Sequence, residues 1–463
     1  MPAVTCSLLL LQSKLTRSRL HAALHIQSSP VIASGREAGG PTMLLTANIH
    51  GNEVRQGSAD LLPRPHQLQC IPRRRIQLTR VSQLIFVKPV HHHQLTGLIV
   101  VHRVLAYLES RLDSLRGRVV IFPSLNPTGH LNMTRFPQFE AADPNRFWPD
   151  ANPEAAANRA EAASDADDWL AAIVARAAAP KPIERCWTAV FELFRACRPD
   201  FHLDLHTICA QSIPFLFLDR VMYDDSGDAA RAAEAHASAE SLFARTRDLC
   251  AAIGLCCALE SAAARYIKRE LHRSTSGAVL NILRVPAVTI ELGGNASVEP
   301  NARDAGVQGV LNALAHAGCC PREVAAPIRC VPTPCALALA ASDIAVGPVD
   351  GSSGGASEVA VAVSAAAAPL YRHLDYPYVP CAGVVDFLLK PGDRFVVGDT
   401  LAVVRAIDGR ERARVAAEFD GAVIAWRDGV TRYGGEALGV CAAEDRLPTV
   451  VAWASLKKDK EKK

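Results

Sequence analysis

The chain lacks any apolar run approaching the roughly 18 residues that a membrane span requires, and the apolar stretch Ser7–Leu11 is too short for a secretory core. Its 14 cysteines include no C-x-x-C pair, while Cys256–Cys257 and Cys319–Cys320 are adjacent. Such spacing suits neither a zinc ribbon nor an easy disulfide, so reduced, mostly buried thiols in a cytoplasmic protein are expected. Residues 1–36 contain no Asp or Glu but carry Lys14, Arg17, Arg19 and Arg36. That is the composition of a mitochondrial transit segment and makes a mitochondrial location the alternative. Net charge is also scarce, at +3 over 463 residues. Its distribution is uneven: residues 55–95 hold seven basic residues against Asp60 alone, and Lys457–Lys463 holds five lysines against Asp459 and Glu461. The remaining body is therefore net acidic, which argues against a nucleic-acid-binding surface.

What is present is an alternation of strand and helix patterns. Residues 43–49, Arg118–Pro123, Phe201–Leu205, Phe215–Leu218 and Ala287–Leu292 read as buried strands, with helical patterns such as Asp228–Ile253 between them. Alternation of this kind predicts an α/β layer fold, whose chemistry gathers beyond the carboxyl ends of the strands. Residues 1–340 form the main unit, 341–370 a linker-like stretch with Gly351-Ser-Ser-Gly-Gly355, 371–446 a small all-β module with regularly spaced turns, and 447–463 a tail. Residues 55–95 interrupt the pattern with clustered Arg and Pro and with His91-His92-His93. Removing them joins Val54 to Thr96 and places Leu98, Val101, Leu105, Leu108 and Leu112 on one apolar stripe of a helix. The segment is read as an in-frame insertion, or alternatively as a long loop.

The strongest chemical signal is His50-Gly-Asn-Glu53, which ends one strand and opens a helix. His and Glu three residues apart share one face of a helical turn, and both are good zinc ligands. Asp204-Leu205-His206, again at a strand end, supplies a third ligand in His206, with Asp204 on the same strand face as its acceptor. Then follow Asn126-Pro127-x-Gly129, Thr134-Arg135, Asp143-Pro144-Asn145-Arg146 and the strand Thr289-Ile290-Glu291 before Gly293-Gly294. A carboxylate at the end of an apolar strand is costly without a partner or a role. His202 and His272 read as packing or solvent residues, and Tyr266 as a pocket-lining candidate.

These motifs, in this order, resemble the succinylglutamate desuccinylase/aspartoacylase family of the zinc metallocarboxypeptidase-like superfamily. The resemblance runs from about Gly40 to Gly294 outside residues 55–95. It implies a mixed sheet flanked by helices and one Zn²⁺ held by His50, Glu53 and His206. It further implies Glu291 as the residue that activates water, Arg135 as the oxyanion stabiliser, and Asn145 and Arg146 as the grip on a substrate carboxylate. Pro144 departs from the family's usual Leu. The expected activity is zinc-dependent hydrolysis of the amide of an N-acyl amino acid or similar small carboxylate. A metallocarboxypeptidase acting on short peptides and a non-catalytic binding protein are the alternatives. Residues 383–442 resemble the lipoyl/biotinyl-like β fold, yet no Lys stands near Glu418-Phe-Asp-Gly421, where a carrier domain needs one. A lid or a contact within a homo-oligomer is expected instead. The partner is then a small carboxylate substrate, with neither nucleic acid nor membrane.

Overall fold

The computed structural model describes residues 32–34, 41–47, 95–132, 134–138, 140–151, 181–295, 297–328, 370–431 and 433–453. Among these, a large mixed sheet carries the fold. Its order is β1 (Ile32–Ser34), β3 (Arg118–Phe122), β2 (Thr42–Ala47), β4 (Phe201–His206), β9 (Ala287–Leu292), β6 (Pro214–Leu218), β8 (Cys256–Leu259), β10 (Leu370–Asp375), β17 (Gly439–Asp445), β15 (Gly421–Trp426) and β12 (Arg394–Phe395). Strands β3, β2, β4 and β9 run parallel, β6 reverses direction, and β8 and β10 follow β6 in parallel. The central strands are buried over nearly their whole length, which explains why Met43–Thr46 and Ala287–Leu292 read as continuous rather than alternating apolar runs.

Among the described residues four long helices cover the sheet: α1 (Leu95–Glu109), α2 (Pro182–Cys197), α3 (Ala229–Ile253) and α4 (Pro300–His316). Helix α3 begins where Asp228 Oδ1 accepts from Arg231 N at 2.9 Å and ends at Gly254, whose φ of 84° serves the left-handed cap. Helix α1 buries the predicted stripe only in part, at Val101 and Leu108. Thr96, Gly97, Val100, Val101, Val104 and Leu108 face inward, Leu98 and Leu105 are only partly buried, and Leu112 lies beyond the helix in a 3₁₀ turn. Gly97 explains the offset. A Cβ there would stand 3.2 Å from Leu205 Cβ, so the helix lies close against β4 at this residue, with that face toward the core. Residues 55–94 lie outside the described residues, as do His50 and Glu53, and Leu95 opens α1.

The C-terminal β segment is joined to the main sheet through β10, β17, β15 and β12. A separate antiparallel sheet follows the order β14 (Glu411–Ala416), β13 (Thr400–Arg405), β11 (Gly383–Phe387) and β16 (Val430–Thr431). The linker-like stretch and its boundary at 340 fall outside the described residues. Residues read from the sequence as the start of a tail instead contribute a strand. Here β18 (Val450–Ala452) pairs in parallel with β7 (Val221–Tyr223), and Trp453 packs beside Met222. Across this join, Arg220 is fully buried and donates to Asp445 Oδ2 at 2.7 Å, Ser261 O at 2.6 Å and Pro448 O at 2.8 Å. The described cysteines are all free thiols. No helix among the described residues is long and apolar enough to cross a membrane.

Candidate active site

Strand register brings the first residues together. On the parallel pair β4–β9, His206 stands opposite Glu291 and Asp204 opposite Thr289. On β2–β4, Thr46 stands opposite Asp204. Thr46 Oγ1 donates to Asp204 Oδ1 at 2.6 Å, and Asp204 Oδ2 accepts from His206 Nε2 at 2.9 Å. All three side chains are buried. Burial alone would raise the Asp204 carboxyl. The charges of His206 and His202, with the hydrogen bonds from His206 and Thr46, outweigh it and hold the carboxyl below its ordinary value. His202 is a packed residue: its Nε2 lies 3.0 Å from Thr46 Oγ1, and burial lowers its pKa to about 4 against the pull of Asp204. His272 likewise sits inside, 3.2 Å from Asp150 Oδ1 and against the Trp453 ring.

A second group stands on loops pinned from behind. Asp143 Oδ1 accepts from Asn145 N at 2.9 Å and caps the 3₁₀ turn Pro144–Arg146. Pro144 occupies the first position of that turn, where no amide donor is needed, so the departure from the usual Leu is accommodated. Asn145 Oδ1 accepts from Thr275 N at 2.8 Å and from Thr275 Oγ1 at 3.0 Å, so Asn145 can offer a ligand only its Nδ2 amide. Trp148, three residues on, is completely buried and stacks on Trp187 and Phe194 at 5.2 and 5.3 Å between ring centroids. Arg273 ties this loop further, donating to Trp148 O at 3.0 Å and to Glu184 Oε1 at 2.7 Å. Arg135 Nη2 pairs with Asp143 Oδ2 at 2.7 Å. The Asn126-Pro-x-Gly129 motif supports Arg135 from below: Asn126 Nδ2 donates to Arg135 O at 3.2 Å, and its Oδ1 accepts from Gly129 N at 2.9 Å.

Arg135, Asn145, Arg146, His206 and Glu291 all line one cavity of ≈820 Å³, a volume that suits an amino-acid-sized ligand. The C-terminal β segment forms part of its wall through His373, Asp375, Arg427, Asp428 and Val440. Near the wall, Asp375 is gripped by Arg265 at 2.6 Å and by Arg269 and Arg427 at 3.2 Å each. Tyr266 does not line the cavity. It is fully buried, and its hydroxyl lies 2.9 Å from where a Cβ on Gly277 would stand. Two lining residues that the sequence reading missed are Asp219 and Glu260, which directly follow β6 and β8. Their signal was the one that singled out Glu291: an acid closing an apolar strand, here Phe-Leu-Phe-Leu-Asp219 and Cys-Cys-Ala-Leu-Glu260.

Among the described residues no three His, Cys, Asp or Glu side chains form a metal-binding group. Of the three residues implied as zinc ligands, only His206 is described. Its setting suits that role chemically: with the Nε2 proton given to Asp204, Nδ1 of the neutral ring carries the lone pair. The register Ala47↔Leu205 also brings the carboxyl end of β2, from which the His50 motif continues, beside the end of β4.

Comparison with known proteins places this fold. No family model matches the chain, and no curated protein matches it in sequence. Among solved structures, it is similar to a succinylglutamate desuccinylase from Silicibacter sp. (14% identity, covering 90% of this chain and 89% of that one, TM-score 0.52). It is similar to an aspartoacylase family protein from Mesorhizobium loti (16% identity, 90% and 89% covered, TM-score 0.51). A third is the product-bound ectoine utilization protein EutE from Ruegeria pomeroyi (15% identity, 89% and 88% covered, TM-score 0.51). The mixed sheet, its flanking helices and the C-terminal β segment are thus the fold of succinylglutamate desuccinylase/aspartoacylase proteins.

Proposed function

We propose that the chain, which has the desuccinylase/aspartoacylase fold, is a zinc-dependent hydrolase of that family that cleaves the amide bond of an N-acyl amino acid or a similar small carboxylate. One observation carries the reading. The Asp204–His206 pair and Glu291 stand side by side at the carboxyl ends of β4 and β9, in one cavity with Arg135, Asn145 and Arg146. Zinc held by His50, Glu53 and His206 would supply Lewis acidity toward a carbonyl oxygen and toward water. Asp204 fixes the tautomer and orientation of His206 through the 2.9 Å bond. Glu291, nearly excluded from solvent at its strand end, takes a proton from the attacking water and returns it to the leaving amine. Arg135, held at 2.7 Å by Asp143, brings positive charge to the oxygen that becomes negative. Arg146 grips the substrate carboxylate, and Asn145 adds its amide, on a loop that Trp148 and Thr275 hold rigid.

The test is hydrolysis of a panel of N-acetyl and N-succinyl amino acids, with and without a chelator, by the wild type and by Glu291→Gln. Release of free amino acid that is lost in both the chelated and the Glu291→Gln samples is expected. Cleavage of short peptides with none of N-acyl amino acids would replace the deacylase reading by the carboxypeptidase one. Unchanged hydrolysis by Glu291→Gln would remove Glu291 from its role.

A further inference from the structure

Packing alone does not account for His202. The residue stands near the start of β4, closed off from solvent, with its ring 6.1 Å from that of Phe194 between centroids. Its Nδ1 has no hydrogen-bond partner among the described residues. An apolar side chain of similar size would fill the same space without leaving a buried ring nitrogen unpaired. The feature to explain is therefore the hydrogen bond that the ring does make, from Nε2 to Thr46 Oγ1 at 3.0 Å. His202, Asp204 and His206 alternate along β4 and so share one face of the strand. Thr46 reaches that face from β2, where it stands opposite Asp204.

The partners fix where each proton lies. A carboxylate only accepts, so Thr46 Oγ1 gives its single proton to Asp204 Oδ1 at 2.6 Å. The Leu203 carbonyl, 3.4 Å from the same hydroxyl, is the more distant acceptor. A hydroxyl whose proton is committed takes part in a further bond only as an acceptor. His202 Nε2 is therefore the donor in the 3.0 Å contact, and Nδ1 carries the lone pair. Burial keeps this ring neutral by lowering its pKa to about 4, so a single ring proton is all that it has to give. The other oxygen of Asp204 accepts from His206 Nε2 at 2.9 Å. The bonds thus form one line: His202 donates to Thr46, Thr46 to Asp204, and His206 meets the same carboxylate from its other side. All four side chains are buried, where bonds in series polarise one another and water does not replace a missing donor.

We infer that Thr46 and His202 are positioning residues for His206: they hold the Asp204 carboxylate in the orientation that fixes the His206 ring and keeps its Nδ1 free for a ligand. The hydrogen-bonded line rests on the geometry alone; its consequence for zinc rests on the function proposed above. Without the Thr46 hydroxyl, Asp204 Oδ1 becomes a buried acceptor with no donor, and the carboxylate loses one of the two bonds that set its orientation. Without a donor at position 202, the Thr46 hydroxyl loses the bond that holds it toward Asp204. The effect of Thr46 on His206 is therefore the larger, and that of His202 passes through it.

The experiment follows the histidine rings of the full-length, zinc-free chain by heteronuclear NMR, with zinc affinity measured in parallel by competition with a chelator. In the wild type at neutral pH, His202 and His206 are both expected as neutral rings protonated at Nε2. Thr46→Val keeps the shape and removes the hydroxyl. It should move the hydrogen-bonded Nε2 proton of His206 upfield and weaken zinc binding by about 10-fold, and Thr46→Ser should restore both. His202→Phe keeps a ring but removes the donor and should move the same proton in the same direction, while His202→Gln, which returns an N–H donor, should recover it. A wild-type His202 ring protonated at Nδ1, or a His206 signal unmoved by Thr46→Val, overturns the inference. The wild-type measurement needs no variant, so it stands even if a substitution impairs folding. A shifted His206 proton with zinc affinity equal to that of the wild type also overturns the positioning role. The expected His206 shifts in a chain that binds no zinc in any form keep the hold on His206 and remove the metal reading.

Discussion

Replacing Asp219 by Asn tests whether the carboxyl that follows β6 is as strained as its burial implies. The carboxyl moves from an ordinary 3.8 to about 7 in the folded chain, chiefly through burial and then through Glu260. Each unit of difference between folded and unfolded states is worth about 1.36 kcal/mol, so roughly three units amount to about 4 kcal/mol. The sign follows from proton counting. Between pH ~4 and ~7 the folded chain still holds a proton on Asp219 that the unfolded chain has released, so stability falls as pH rises through this window. Below pH ~4 both states are protonated and the penalty is absent; above pH ~7 it is complete. Asn cannot titrate. Urea unfolding of the wild type and Asp219→Asn at intervals from pH 4 to pH 8 should therefore give a difference in stability that shifts steadily in favour of the variant. The total shift should approach about 4 kcal/mol, with the contributions of other groups cancelling between the two proteins. Glu260→Gln removes the neighbouring charge, so the decline in that background should be shallower. Parallel pH curves for wild type and Asp219→Asn would refute the reasoning, because they would mean that Asp219 titrates alike in the folded and unfolded chains.

Arg220→Met leaves Asp445 charged and buried where the main sheet meets the C-terminal segment. It should cost about 3–5 kcal/mol in urea unfolding, with Arg220→Met/Asp445→Leu recovering much of the loss; a single variant within about 1 kcal/mol of wild type would contradict this. Gly277→Ala would drive a methyl group into Leu271 O and to 2.9 Å from both Ser274 Oγ and Tyr266 Oη, with an expected loss of about 1–3 kcal/mol in thermal or urea unfolding. Asp204→Asn keeps the shape but weakens the hold on His206. On the proposed zinc reading, zinc affinity, read by competition with a chelator, and kcat should each fall by about 10–100-fold while the chain stays folded.

The central strands were legible because burial on both faces leaves a continuous apolar run, and Ala287–Leu292 was placed to the residue. Helix α3 was legible from the Ala-rich, recurring apolar pattern over Asp228–Ile253, and the structure places its caps at Asp228 and Gly254. The inward face of α1 was legible only in part, at Val101 and Leu108 but not at Gly97. A glycine carries no hydropathy signal, and only the close approach of Leu205 reveals that the helix packs there. Nor was the union of the C-terminal segment with the main sheet visible. The turn spacing marked the segment as all-β, but parallel pairing of β10 with β8 and of β18 with β7 is a long-range event that no local pattern encodes. The site divides along the same line. His206 and Glu291 were legible singly, each as a polar residue ending an apolar strand, and the register of β4 and β9 supplied their adjacency. Asp219 and Glu260 carry the same local signal but belong to none of the motifs. The cost of a carboxylate at a strand end applies to all three, and the parallel register of β6 and β8 sets two of them side by side.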